Sequence, residues 1–371
     1  MNRRYLLLAG VCTAALFNIS CDSSVTADSA GNNVVNVYNW ADYIAPDTIA
    51  KFEAETGIKV NYDLYDSSEV VDVKLLTGNS GYDVVVHSNQ YSSRLAPIGI
   101  FARLDKRKFS NFANLDEQVL QRISVYDAVR DYNIPYHWGS TGYAWNVAMV
   151  RERLPDHPMD SADVLFDPEV VAKLADCGVS LLDGSTDLFP MVLAYLGMDP
   201  TATDDASLAA AEAQLAKVRP YIRYFSNSKM LSDLPNKEVC VAMSWSGDYA
   251  TAAARAREAG IDIEIRYTMP KEGSGLWVDG MYIVADAPHK ENAYAFIDFI
   301  LRADIAADIA NTVSYANANR ASWPLIDATL RNDDAIFPGE ESWKRLYPIM
   351  TSDPKQERVR TRAFARVKSG L

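Results

Sequence analysis

The chain has 371 residues, 49% of them hydrophobic and 23% charged, with 36 Lys and Arg against 49 Asp and Glu for a net charge of −13. That length and apolar content suffice for two α/β domains with cores of their own. A surface this acidic repels nucleic acid and anionic membranes, so neither is expected as a partner, and it attracts cations.

The first residues read as an export leader outside the fold. Arg3 and Arg4 precede an apolar run over 6–17 that is too short for a permanent membrane span. Small residues follow, with cleavage expected near Ala27, so 1–27 is assigned as a signal peptide. A second reading is lipid attachment at Cys21, because Ile19-Ser20-Cys21 resembles the end of a lipobox. Asn18, where that motif usually has Leu, speaks against it. Loss of Arg3 and Arg4 takes the charge from −13 to −15. Cys12 leaves with the leader, and Cys21 either leaves or carries lipid. Cys177 and Cys240 remain, an even pair in an exported chain, which reads as one disulfide. Its loop of about sixty residues would restrict the unfolded chain by roughly 4 kcal/mol.

The mature chain then alternates strand and helix. Residues 34–40 form an apolar, β-branched strand, and 46–56 have helical spacing with Gly57 as the stop. A strand over 59–65, a helix over 69–76 closed by Gly78 and a buried strand over 82–86 follow. A βαβαβ order implies an α/β fold with a parallel sheet, whose ligands bind outside the carboxyl ends of the strands. Trp40-Ala41-Asp42-Tyr43 and His87-Ser88-Asn89 fall at two such ends. A second α/β segment comprises a strand over 179–182, a helix over 208–218, a strand over 239–244 and a helix over 249–259. Trp245-Ser246-Gly247-Asp248 again follows a strand. Segments 261–269, 276–285 and 291–301 restart the pattern, ahead of a loop at 315–319 and a basic helix over 356–368. No repeat or flexible linker intervenes, so the chain is expected to cross between its domains more than once.

Three Trp residues stand two or three positions before an Asp: Trp40 and Asp42, Trp245 and Asp248, Trp277 and Asp279. A carboxylate neutralises a cation while the ring attracts ammonium and covers methylenes, which suits an organic cation with an apolar body. Each residue also has a purely structural reading. Trp40 could be a core residue, although Asp42 argues against full burial. Asp248 could simply cap the helix that follows it. Asp279 lies between Val278 and Gly280 in an apolar strand, where an unpaired acid is costly and calls for a cationic partner. Ser88 beside His87 is not a nucleophile and its base, because adjacent strand residues face opposite ways. His87, His137, His157 and His289 form no His-x-x-x-His pair, so no metal is expected, and no motif calls for a cofactor.

Taken together, certain segments resemble a known family. They are Val37-Tyr38-Asn39-Trp40-Ala41-Asp42-Tyr43-Ile44, Phe52-Glu53-Ala54-Glu55-Thr56-Gly57-Ile58-Lys59-Val60, Tyr315-Ala316-Asn317-Ala318-Asn319 and Arg358-Val359-Arg360-Thr361-Arg362. As a set they resemble the putrescine/spermidine-binding proteins of bacterial polyamine ABC importers, over essentially the whole mature chain. The resemblance implies a two-lobed periplasmic solute-binding fold of type II, with a hinged cleft that closes on its ligand. The lobes it implies are 34–138 with 270–315, and 139–269 with 316–371. It implies an aromatic box of Trp40, Tyr43, Trp245, Trp277 and Tyr315, carboxylates at Asp42, Asp187, Asp248 and Asp279, and a polar contact from Ser88. Asp187 stands where the family usually has Glu, and Ala41 where it has a small hydroxyl residue. Cys177 and Cys240 match the family's disulfide positions.

Three function classes follow. The first is a monomeric periplasmic protein that binds a polyamine and delivers it to an inner-membrane ABC permease, with no chemistry of its own. The second is a binding protein of the same fold for another ligand, such as a sugar, and the third an exported glycosidase using paired carboxylates. The cationic ligand is favoured because the acids converge with no Arg or Lys among the proposed site residues. In the family, Trp at 277 tends to accompany spermidine preference and Phe putrescine preference, while an apolar residue at Ile349 points the other way. Spermidine is therefore expected to bind at least as well as putrescine.

Overall fold

The computed structural model describes residues 33–122, 124–350 and 353–370. The leader and the Cys21 assignment lie outside them. None of the described helices is long and apolar enough to cross a membrane.

Among the described residues eleven strands form one sheet: β1 (Val34–Trp40), β2 (Lys59–Tyr65), β3 (Val84–Ser88), β4 (Asn133–Asn146), β5 (Val179–Leu181), β6 (Ile222–Phe225), β7 (Val241–Trp245), β8 (Ile265–Thr268), β9 (Ser274–Ile283), β10 (Ala316–Asn317) and β11 (Leu346–Pro348). Their main order is β2-β1-β3-β9-β4-β7-β5-β6, with β8 and β10 on β4 and β11 on β9. The outer trios are parallel, as the βαβ reading requires, but β9 and β4 run antiparallel to their neighbours at the centre.

β4 is the strand that makes one molecule of two lobes. Its first part, from Asn133 to Thr141, pairs with β9, and its second, from Thr141 to Trp145, pairs with β7. Ile134, Tyr136 and Trp138 belong to the first core, whereas Tyr143 and Trp145 belong to the second. Within the second lobe neighbouring residues part to opposite faces of the sheet. Tyr143 and Met243 enter one cluster, Ala144 and Ala242 the other, so both faces are covered.

Core membership differs from the expected division at the C-terminal end. Ala316, Ala318, Ile336 and Ile349 pack into the first core, while Ala363, Phe364 and Val367 join the second. The cause is strand pairing: β11 adds to β9 beside the first lobe before the last helix, Pro354–Ser369, crosses to the second. Cys177 and Cys240 are disulfide-bonded, with Cα atoms 5.5 Å apart and a sequence separation of 63.

Candidate functional site

A cleft between the lobes, about 1100 Å³ including its open mouth, is lined by all eleven residues proposed from the sequence: Trp40, Ala41, Asp42, Tyr43, Ser88, Asp187, Trp245, Asp248, Trp277, Asp279 and Tyr315. They arrive from β1 and the turn after it, the last residue of β3, the helix Ser185–Tyr195, the end of β7 with the helix Ser246–Glu258, β9, and the residue preceding β10.

At the first lobe's wall, Ser88 Oγ donates to Asp279 Oδ1 at 2.5 Å. The two residues are cross-strand partners of β3 and β9, so sheet register sets this contact. Asp279 is only 5% exposed and faces no Arg or Lys, and burial pushes its pKa up to about 6 despite the hydrogen bond from Ser88. The Tyr43 hydroxyl is buried beside Asp279, and burial together with that carboxylate holds its pKa well above the usual value. Trp277, Tyr315 and Tyr43 stack edge to face in sequence, with centroids 5.2 and 5.5 Å apart.

Asp248 enters from the other lobe. It sits in the first turn of Ser246–Glu258, whose cap position is occupied by Trp245 with no side-chain cap. The capping role open from the sequence is therefore not the one Asp248 takes. Its Oδ1 accepts from Tyr315 Oη at 2.5 Å across the cleft. Burial raises its pKa to about 7, with Tyr315 and then Arg255 pulling the other way. Two glycines make room for the rings. A Cβ on Gly247 would stand 2.5 Å from the Tyr315 ring, and one on Gly139 of β4 2.5 Å from Trp277.

Asp187 lies in the first turn of Ser185–Tyr195, where the N-terminal end of the helix favours an anion. Trp245 Nε1 and Thr141 Oγ1 each donate to its Oδ1 at 3.1 Å. Burial again raises its pKa. Asp42 is different: it sits in a left-handed turn (φ 54°), is 71% exposed at the rim, and pairs with Arg255 of the opposite lobe at 3.3 Å. No Arg, Lys or His lines the cleft, yet one of its acids is paired with a cation that sequence reasoning did not place there.

Further lining residues escaped the sequence reading: Asp66, Glu69 and Asp183 among the acids, with Tyr65 and Tyr91 among the rings. Glu69 and Asp66 adjoin the predicted helix at 69–76, and Asp183 opens the segment that contains Asp187, so position at a strand end was the available signal. Ile349, expected to influence the pocket, does not line it. It is fully buried against Gly275.

A family model described as bacterial extracellular solute-binding protein matches residues 47–338. The chain belongs to this family. It is 44% identical over 345 residues to the putrescine-binding periplasmic protein SpuD of Pseudomonas aeruginosa, covering 93% of this chain and 94% of that one. Identity to the putrescine-binding periplasmic protein PotF of Escherichia coli is 42%, over 100% and 99% of the two chains. Among solved structures, a spermidine/putrescine ABC transporter substrate-binding protein of Streptococcus pneumoniae superposes with a TM-score of 0.75 at 26% identity, over 91% and 99%. This chain's two cores and the cleft between them are the two-lobed solute-binding fold expected above.

Proposed function

We propose that this chain is a periplasmic polyamine receptor, which captures putrescine or spermidine in the cleft and hands it to an ABC permease as a monomer without chemistry of its own. The observation that carries the reading is the composition of the cleft: seven carboxylates, five of the chain's Trp and Tyr residues interleaved with them as the proposed box, and no basic side chain in the lining. The acids come to the cleft from both lobes, which suits an elongated cation with separated charges. A neutral sugar would leave Asp248 and Asp279 buried and uncompensated, which is costly.

In this reading Asp279 and Asp248 neutralise ammonium groups, the Tyr43 hydroxyl buried beside Asp279 offers its oxygen to one of them, and the rings cover the methylenes. Four methylenes contribute about 3 kcal/mol at roughly 0.8 each. Ammonium pairing and cation–π contact add to this. Calorimetric titration of the mature protein with putrescine, cadaverine, spermidine and spermine tests it. The expected result is exothermic binding at one site; absence of heat and of any thermal shift with all four would reject it.

A further inference from the structure

Arg360 belongs to the Arg358-Val359-Arg360-Thr361-Arg362 segment, and it is the one Arg of the three that points inward: Arg358 and Arg362 are exposed, whereas Arg360 is 2% exposed. Its Nη2 donates to Glu357 Oε2 at 2.6 Å and to Thr186 Oγ1 at 2.9 Å. Thr186 Oγ1 is in turn 2.9 Å from Tyr91 Oη, and Tyr91 Oη is 3.1 Å from Glu69 Oε1. Arg360 and Thr186 belong to the second lobe. Tyr91 and Glu69 belong to the first, on the helices Asn89–Leu95 and Ser68–Leu76. The chain of contacts therefore crosses from one lobe to the other beside the cleft that Tyr91, Glu69 and Asp187 line.

Proton counting gives this chain a direction. A guanidinium only donates, an ionised carboxylate only accepts, and each hydroxyl has one proton. All three bonds form together only when Arg360 donates to Thr186, Thr186 to Tyr91, and Tyr91 to Glu69. A cation at one end and a carboxylate at the other polarise the two hydroxyls between them, which strengthens each bond. Thr186 and Tyr91 are 1% and 6% exposed, so the middle bond is made away from water.

Other contacts across the cleft work differently. The Asp42–Arg255 pair and the Tyr315–Asp248 bond each use a carboxylate of the proposed ligand set, so a bound ammonium competes with them. The Tyr91–Thr186 bond uses none, and it can persist with the cleft full. We propose that Arg360, Thr186, Tyr91 and Glu69 form an interlobe latch that holds the closed conformation, with Arg360 as the positioning residue that orients Thr186 to meet Tyr91. The latch deepens the receptor reading by naming what retains the ligand once the lobes have met.

The sharpest variant is Tyr91→Phe, which removes one oxygen and keeps the ring; Thr186→Val does the same from the other side. A fluorophore pair on Val73→Cys and Glu258→Cys, exposed residues of opposite lobes, reads the open and closed populations with no ligand present. The expected result is a closed-to-open ratio lowered about fivefold in either variant, as for the loss of one ordinary hydrogen bond. The double variant should open the lobes no further than either single one, because both remove the same interlobe bond and the Tyr91–Glu69 and Arg360–Thr186 bonds each lie within one lobe. Stopped-flow measurement with spermidine should show faster dissociation by a similar factor and an unchanged association rate, a split that general loss of stability does not produce. An unshifted ratio in ligand-free protein, or additive effects in the double variant, would overturn the latch whatever the protein binds. Failure of the wild type to bind any polyamine, with the ratio shifted as expected, would instead count against the receptor reading and leave the latch standing.

Discussion

A carboxylate buried at position 279 is a stored cost that a proton or a bound cation relieves. Asp279→Asn keeps the shape and still offers an oxygen to Ser88, but it removes the charge. Binding of putrescine should weaken at least tenfold, since one partner of a desolvated charge pair typically contributes about 2–5 kcal/mol. Asp248→Asn should do the same. Both variants should melt higher than the wild type in the empty state at pH 8, because the uncompensated charge is gone; calorimetry and thermal melting together check the pair. Weakened binding with a lowered melting point would indicate damage to the fold instead.

The same two residues fix the sign of a pH effect. Their folded pKa values, about 6 and about 7, lie above the ordinary 3.8, so the folded protein holds protons that the unfolded chain has released. Their contribution to the stability of empty protein is therefore present below pH 3.8 and is lost as pH rises through 6 and 7. Asp105 and Asp176, held near 2 by Arg107 and Arg153, act oppositely and only below 3.8, so the two windows do not overlap. A polyamine requires the ionised acids, and its affinity should rise between pH 5 and 8 with proton release on binding. Titrations in buffers of different ionisation enthalpy measure that release directly; none detected at pH 6 would contradict the proposed contacts.

Trp277 carries what remains of the selectivity argument, now that Ile349 is seen to stand outside the cleft. An indole covers a longer chain than a phenyl ring, and the three extra methylenes of spermidine are worth about 2.4 kcal/mol if all are buried. Trp277→Phe should move the spermidine-to-putrescine affinity ratio towards putrescine, by paired titrations of both proteins. A ratio unmoved by the substitution would remove Trp277 from the account.

At the scale of elements, helix starts decide the site. Gly247 allows Ser246–Glu258 to begin directly under the Tyr315 ring, and no larger residue fits there without moving it. Gly247→Ala should therefore cost binding more than tenfold by displacing Tyr315 from Asp248, while helix content is kept, because Ala is the better helix former by about 1 kcal/mol. Calorimetry with circular dichroism separates the two effects. The strand ends that place Trp40, Ser88 and Trp245 were legible because alternation and turn residues mark them locally. β3 nonetheless runs two residues further than its apolar stretch, ending on Ser88 itself. β4 was not legible at all. Its alternating Ile134, Tyr136 and Trp138, and Tyr143 and Trp145, are interrupted by Pro135 and by Gly139 and Gly142, and burial on both faces removes the polar alternation that marks a half-buried strand. Its register shift between Pro135 and Trp138 is where the proline is accommodated. Tyr91 carries no signal of its own, since only the packing of its helix Asn89–Leu95 brings it to the cleft.

For the molecule as a whole, the consequence of this layout is that binding and stability are separable in space. The disulfide joins the residue before β5's turn to the residue before β7, deep in the second lobe, where Cys177 is 4% exposed and Cys240 fully buried. Neither lines the cleft. A cross-link closing a loop this long acts mainly on the unfolded chain and is worth roughly 4 kcal/mol. A replacement such as Cys177→Ser with Cys240→Ala should consequently lower the melting temperature markedly. Polyamine affinity at 25 °C should change less than threefold, because β7 keeps its pairing with β4 and β5 and so continues to present Trp245 and Asp248. The measurement is thermal melting beside calorimetric titration of the same preparations. A large loss of affinity in protein that is still folded would mean that the bond tensions β7 and sets the geometry of the cleft, coupling what the architecture otherwise keeps apart.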